Sequence, residues 1–288
     1  MKAVIALSGL AGFLIFGPPL FRAHSTNNTH VIHLDTHVAD HVDSHAADWD
    51  QSNCKFEAER TFSATVGSGD LLRVLAGSGS LEVVGVDGLR EVRATARACA
   101  SHEEFLQDLR LSSDRDGDAL VVESHYPDWS DRGGWGNRYA RLDLFLEVPQ
   151  GMAADLQDSS GGMSLSGLGD VSIQDSSGEI EAQSILGHLV IDDSSGEIQV
   201  WDVTGNVEIE DGSGEIEVSG VGGWVTISDG SGEINAENIE GSVTVLQDGS
   251  GSIEVDGVGG DFTVRRDGSG SIEYQNVAGT VDVPRKRR

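Results

Sequence analysis

Apolar and polar residues alternate along the second half of the chain in short paired runs. From Asp211, Ile216 and Val218 alternate with Glu215 and Glu217, and Val225 and Ile227 then alternate with Trp224 and Thr226. A period of two gives each run one apolar and one polar face, so each unit predicts two β-strands. The runs are separated by Ser219-Gly220 and Gly222-Gly223 around Val221, and by Asp229-Gly230-Ser231-Gly232. Both separators are turn chemistry, with glycine supplying positive φ and aspartate accepting a backbone N–H.

This unit recurs from Asp158, Asp175, Asp193, Asp211, Asp229, Asp248 and Asp267, at steps of 17 to 19 residues. Its apolar positions return in step, as Ile180, Ile198, Ile216, Ile234, Ile253 and Ile272, then Leu189, Val207, Val225, Val243, Phe262 and Val281. A single unit cannot bury such a face, but stacked strands ~4.8 Å apart build a continuous aliphatic spine. The prediction is all-β: a β-solenoid, or single-stranded β-helix, of two-strand coils about 18 residues long. A three-sided hexapeptide coil would place an apolar residue at every sixth position, so the two alternating pairs favour a flattened, two-sided coil.

Upstream, Gly67-Ser68-Gly69-Asp70 and Ala76-Gly77-Ser78-Gly79-Ser80-Leu81-Glu82-Val83 rehearse the turn and strand without the leading aspartate. Degenerate terminal coils are expected there. Residues 102–139 read as an interruption, with Trp129, Trp135 and Tyr139 in an aromatic, glycine-rich loop. Such residues suit partner recognition, and the alternative is that the loop packs against the coil.

The stretch Leu144-Phe145-Leu146-Glu147-Val148-Pro149-Gln150-Gly151, running into Asp158-Ser159-Ser160-Gly161 and the recurring Ser-Gly-Glu-Ile pattern, resembles the bacterial putative-adhesin family. The resemblance spans roughly residues 83–283. It implies an exported or envelope-associated β-helix and transfers no catalytic residue.

Composition narrows the function classes. The 288 residues include 38 glycines and 5 prolines, and the formal net charge is −29. Phosphate neutralisation needs a basic surface, so nucleic acid is not an expected partner. Residues 1–23 read as an export signal, with Lys2 before the apolar run Ala3 to Phe16. Phe21 sits where cleavage wants a small residue, which leaves an uncleaved anchor as the alternative and the one expected route to a membrane. The expected location is the periplasm or cell surface.

Residues 24–53 form a His- and Asp-rich stretch that reads as a disordered linker. If helical, His33, His37, His41 and His45 would share one face at metal-ligand spacing. Cys54 and Cys99, the only cysteines, predict one disulfide in an exported chain. Regions 54–157, 158–283 and 284–288 then correspond to degenerate coils, regular coils and a basic tail.

No Lys or Arg lies between Arg141 and Arg265. Stacking places Asp175, Asp193, Asp211, Asp229, Asp248 and Asp267 in one column, with Glu179, Glu197, Glu215 and Glu233 in another. Carboxylates ~4.8 Å apart repel by roughly 1 kcal/mol per pair even in water. The expected relief is local: each aspartate accepts the N–H groups of its own turn, and salt screens the exposed charge. The sharper alternative is calcium held by the aspartates. No histidine keeps step with the repeated serines, so no serine hydrolase is expected. The sequence therefore reads as a non-enzymatic adhesin-like or envelope scaffold that contacts an envelope protein or glycan. Its competitor is a calcium- or zinc-binding module.

Overall fold

The computed structural model describes residues 31–33, 54–128 and 138–284. The chain opens with β1 (Val31–His33), β2 (Phe56–Thr65), β3 (Leu71–Leu75), β4 (Leu81–Val86) and β5 (Glu91–Ala100). The short helix α1 (Glu103–Leu106), β6 (Arg110–Asp116), β7 (Ala119–His125) and β8 (Ala140–Pro149) follow. Paired strands come next: β9 (Ala153–Gln157) with β10 (Met163–Ser166), β11 (Val171–Asp175) with β12 (Ile180–Ile185), and β13 (Leu189–Asp193) with β14 (Ile198–Val203). The series continues through β15 (Val207–Asp211), β16 (Ile216–Val221), β17 (Val225–Asp229), β18 (Ile234–Ile239), β19 (Val243–Asp248) and β20 (Ile253–Val258). It ends with β21 (Phe262–Val264), β22 (Ile272–Val277) and β23 (Val281–Asp282).

These strands make a β-solenoid of about seven turns. Two sheets face each other. The first runs β1-β2-β5-β8-β4-β10-β12-β14-β16-β18-β20-β22, and the second runs β23-β21-β19-β17-β15-β13-β11-β9-β3-β7-β6. From β4 and β3 onward every pairing toward the C-terminus is parallel and joins equivalent residues of successive coils, such as Ile198 with Ile216 and Val207 with Val225. The predicted two-sided coil and its apolar columns are therefore present, and Ile180 to Ile253 are fully buried between the sheets. Each such side chain removed from water contributes about 1.5–3 kcal/mol, which is how short glycine-rich strands sustain a fold.

The first coil is built out of sequence order. β7 lies parallel to β3 and β8 parallel to β4, so these two strands add a coil's rungs beneath β3 and β4. Antiparallel β5 and β2 extend one sheet beyond it, and β6 extends the other. The stretch expected to interrupt the array thus completes and closes its N-terminal end. Cys54 and Cys99 form the expected disulfide, with Cα atoms 5.5 Å apart, between the start of β2 and its partner β5. Val31–His33 adds an antiparallel strand beside β2, where a disordered linker was expected. His37, His41, His45, Trp129 and Trp135 lie outside the described residues.

From β10 onward, one residue near the end of each first-sheet strand adopts a left-handed conformation. Gly167, Gly220 and Gly257 do so at no steric cost, and Asp202, Asn238 and Asn276 are the types that tolerate it. Ser184, at φ 55°, is the misfit in this column. Ser184→Asn is expected to raise stability by a few tenths to about 1 kcal/mol in urea unfolding. A stability equal to or below that of the parent chain would reject the reading.

Candidate functional site

The residue types with chemistry gather at the corner leading from the second sheet to the first, and on the outer face of the first sheet. In β11 the alternation Val171, Ile173, Asp175 puts all three side chains on the inner face, and the same holds for Leu189, Ile191 and Asp193. The aspartates therefore point into the coil. Register pairs Asp175 with Asp193, Asp193 with Asp211, Asp211 with Asp229, Asp229 with Asp248, and Asp248 with Asp267. Asp158 extends the column at its N-terminal end and is 7% exposed, while Asp229 is 1% exposed.

The relief expected from the turns is present but partial, because burial works against it. Turn N–H groups reach only part of the column: Ser176 donates to Asp175 Oδ1 at 2.7 Å, and Ser231 to Asp229 Oδ1 at 3.0 Å. At Asp158, Asp193, Asp211 and Asp248 the turn N–H groups of Ser159, Ser195, Ser213 and Ser250 still favour the charged carboxylate, but none meets a buried oxygen at good hydrogen-bonding geometry. Salt cannot screen charges that water does not reach. Burial is the main cause that carries Asp158 up to about 7 and Asp229 up to about 6. Asp193, Asp211 and Asp248 are raised as well, again first by burial, and the charge of an adjacent rung adds to the effect at Asp193 and Asp248. Tyr126 closes the column beside Asp158. Its hydroxyl accepts from the Ser78 N–H at 2.9 Å and donates to the Ser78 carbonyl at 3.1 Å. Burial pushes this phenol up to about 12.

Outside the first sheet two acidic columns run side by side. Glu179, Glu215 and Glu233 are exposed and Glu197 is half-buried, all ahead of equivalent strands. Glu215 is raised by burial and then by Glu197, Glu217 and Glu233. The neighbouring column reads Glu82, Ser164, Glu181, Gln199, Glu217, Asn235, Glu254 and Glu273 from rung to rung, so that only the last two rungs set acid beside acid. From Glu82 to Glu254 acid alternates with a neutral polar residue, which doubles the distance between like charges there. At the N-terminal end of this face lies an open groove of about 780 Å³, lined by Ser80, Glu82, Arg141, Asp143, Glu179 and Glu181 among others. Arg141 Nε stands 3.4 Å from Asp143. Of the predicted recognition residues, Tyr139 is described. It accepts the Lys55 N–H at its hydroxyl and donates its own N–H to Ser101, which ties it to the closed end.

Among the described residues, no three His, Cys, Asp or Glu side chains converge to hold a metal ion. No helix there is long and apolar enough to cross a membrane.

No protein-family model and no curated protein matches the sequence. The chain is similar to solved structures of three bacterial proteins. One is a putative cell adhesion protein from Clostridium sporogenes ATCC 15579, with 12% identity, TM-score 0.28, and coverage of 78% of this chain and 98% of that one. Another is a putative lipid binding protein from Parabacteroides distasonis ATCC 8503, with 15% identity, TM-score 0.46, and coverage of 77% and 96%. The third is a putative adhesin from Bacteroides fragilis NCTC 9343, with 12% identity, TM-score 0.41, and coverage of 80% and 98%.

Proposed function

We propose that the chain is an exported, non-enzymatic, adhesin-like or cell-envelope scaffold that holds an envelope protein or glycan on the acidic face of its first sheet. The observation that carries this reading is the pair of carboxylate columns on a rigid parallel ladder, with no Lys or Arg between Arg141 and Arg265. A face of this kind offers many weak contacts in register and no enclosed pair of acids at which a substrate would be cleaved. The Cys54–Cys99 disulfide supports an oxidising location outside the cytosol.

The test uses the immobilised chain and a solubilised envelope fraction. Replacing Glu197, Glu215 and Glu233 with glutamine is expected to weaken retention of the bound component about tenfold, because three solvent-accessible charge contacts contribute roughly 0.5 kcal/mol each. Retention should also fall as salt rises past ~0.15 M. Equal retention by the parent chain and the triple variant rejects the acidic face as the contact surface.

A divalent-cation module is the second reading, favoured by the orphaned oxygens of the aspartate column. Calorimetry with calcium and zinc decides it, since no heat and no change in melting temperature would discard it.

A further inference from the structure

The opposite corner, leading from the first sheet back to the second, carries a row of polar side chains one coil apart: Asp170, His188, Asn206, Trp224, Ser242 and Asp261. Most of them accept the backbone N–H of the following coil. His188 donates to Asp170 Oδ1 at 2.7 Å, Asn206 donates to His188 Nδ1 at 3.0 Å, and Trp224 donates to Asn206 Oδ1 at 3.0 Å. Further on, Asp261 donates to Ser242 Oγ at 3.0 Å, and Thr280 donates to Asp261 Oδ1 at 2.7 Å. These bonds fix what the row offers outward. With Nδ1 accepting, His188 keeps its proton on Nε2, and with Oδ1 accepting, Asn206 turns its NH2 group away from the backbone.

Trp224 interrupts the row. Indole has a donor and no acceptor, so Trp224 cannot take the Ser242 N–H as Asn206 takes its own. The ring gains no core burial in return: Trp224 is 43% exposed. The adjacent column is glycine at Gly205, Gly223 and Gly241, so no side chain from it lies over the indole. A large aromatic that breaks a structural row and stays in solvent is a local conflict, and chains retain such conflicts chiefly at functional positions.

The geometry points to a carbohydrate-binding row at this corner, taking a neutral extended glycan along the solenoid axis with one sugar ring stacked on Trp224. The apolar C–H face of a sugar ring suits an indole face. Its hydroxyls suit the fixed donors of His188 and Asn206 on one side and the Ser242 hydroxyl on the other. Rungs ~4.8 Å apart match the scale of successive sugar rings. His188, Asn206, Trp224 and Ser242 carry no formal charge in this bonded arrangement, whereas a cationic peptide would be drawn to the acidic sheet face. The inference rests on the reading of a non-enzymatic binding protein but uses a different surface.

The full chain is titrated with chitotetraose, cellotetraose and maltotetraose, read by tryptophan fluorescence and calorimetry. Saturable binding of at least one is expected, weakened about tenfold or more in Trp224→Ala and retained in Trp224→Tyr. Trp224→Asn returns an acceptor to the row, so it is expected to raise the melting temperature while losing the sugar. That combination would not arise if Trp224 were structural. Absence of binding by all three sugars, or unchanged binding in Trp224→Ala, overturns the inference. So does an oligolysine peptide whose binding, in place of sugar, depends on Trp224. The Glu197, Glu215 and Glu233 triple variant should bind sugar normally, so failure here is separable from failure of the acidic face.

Discussion

Gly214→Ala is expected to lower the unfolding free energy by at least ~3 kcal/mol, although it adds only a single methyl group. Gly214 sits at the aspartate corner with φ +157°, and a Cβ built there would lie 1.5 Å from the Gly196 carbonyl oxygen of the coil before it. That neighbour is backbone and cannot turn aside. The same approach recurs at Gly196, Gly232 and Gly251, where the distances are 1.6, 1.5 and 1.4 Å, so the whole corner stacks peptide on Cα. To admit a methyl group, one coil would have to lift from the next and strain the ladder bonds on either side. Stability in a stacked repeat is carried by neighbour interfaces, so the damage in a central coil divides the spine. The control is Gly162→Ala, whose added Cβ meets nothing nearer than 4.0 Å. Urea unfolding followed by circular dichroism should show a large loss in the first variant and almost none in the second. Equal losses would mean that the corner is not packed as described.

The repeat was legible because its signals were local and repeated. Ile180, Ile198 and Ile216 recur at a fixed step, and a two-residue period needs no tertiary information to be read. The inward turn of the aspartates was missed for a specific reason. Asp-Ser-Ser-Gly reads as a turn, and turn aspartates are ordinarily solvated. Yet Val171-Ser172-Ile173-Gln174-Asp175 carries the strand alternation one step further and already assigns Asp175 to the buried face. Two cues competed, and the strand period won. The out-of-order first coil had no such cue, because Ser124-His125-Tyr126 replaces the Asp-Ser-Ser-Gly string at its corner. Parallel pairing of 71–75 with 119–125 is a long-range contact that short patterns do not encode. Trp224 was visible only as a polar-face residue of its strand. Its oddity depends on the bonds its neighbours make.

The aspartate column also predicts an unusual direction for the pH dependence of stability. In the unfolded chain these carboxyls lose their protons in the ordinary range near 4. In the folded chain burial holds Asp158 up to about 7 and Asp229 up to about 6, with Asp193, Asp211 and Asp248 moved the same way. Between these limits the folded state binds more protons than the unfolded state, so this contribution to stability is fully present below about pH 4. It is lost as pH rises through 6 to 7 and then levels off. Each pH unit between a folded and an unfolded midpoint is worth about 1.4 kcal/mol, and discounting for relaxation of the corner around a charged carboxylate leaves an expected loss of roughly 3 kcal/mol from pH 4.5 to pH 8. Asp211→Asn separates this cause from the general self-repulsion of an acidic chain. Asparagine keeps the shape, removes the central charge, and brings N–H donors between Asp193 and Asp229, where Asp229 Oδ2 and both Asp193 oxygens have no donor at good geometry. The variant is expected to gain about 1–2 kcal/mol at pH 8 and little at pH 4.5, flattening the profile. Thermal and urea unfolding at the two pH values measure both terms. A parent chain that grows more stable toward pH 8, or an Asp211→Asn variant destabilised there, would show that the buried carboxyls are charged and satisfied by something other than protons.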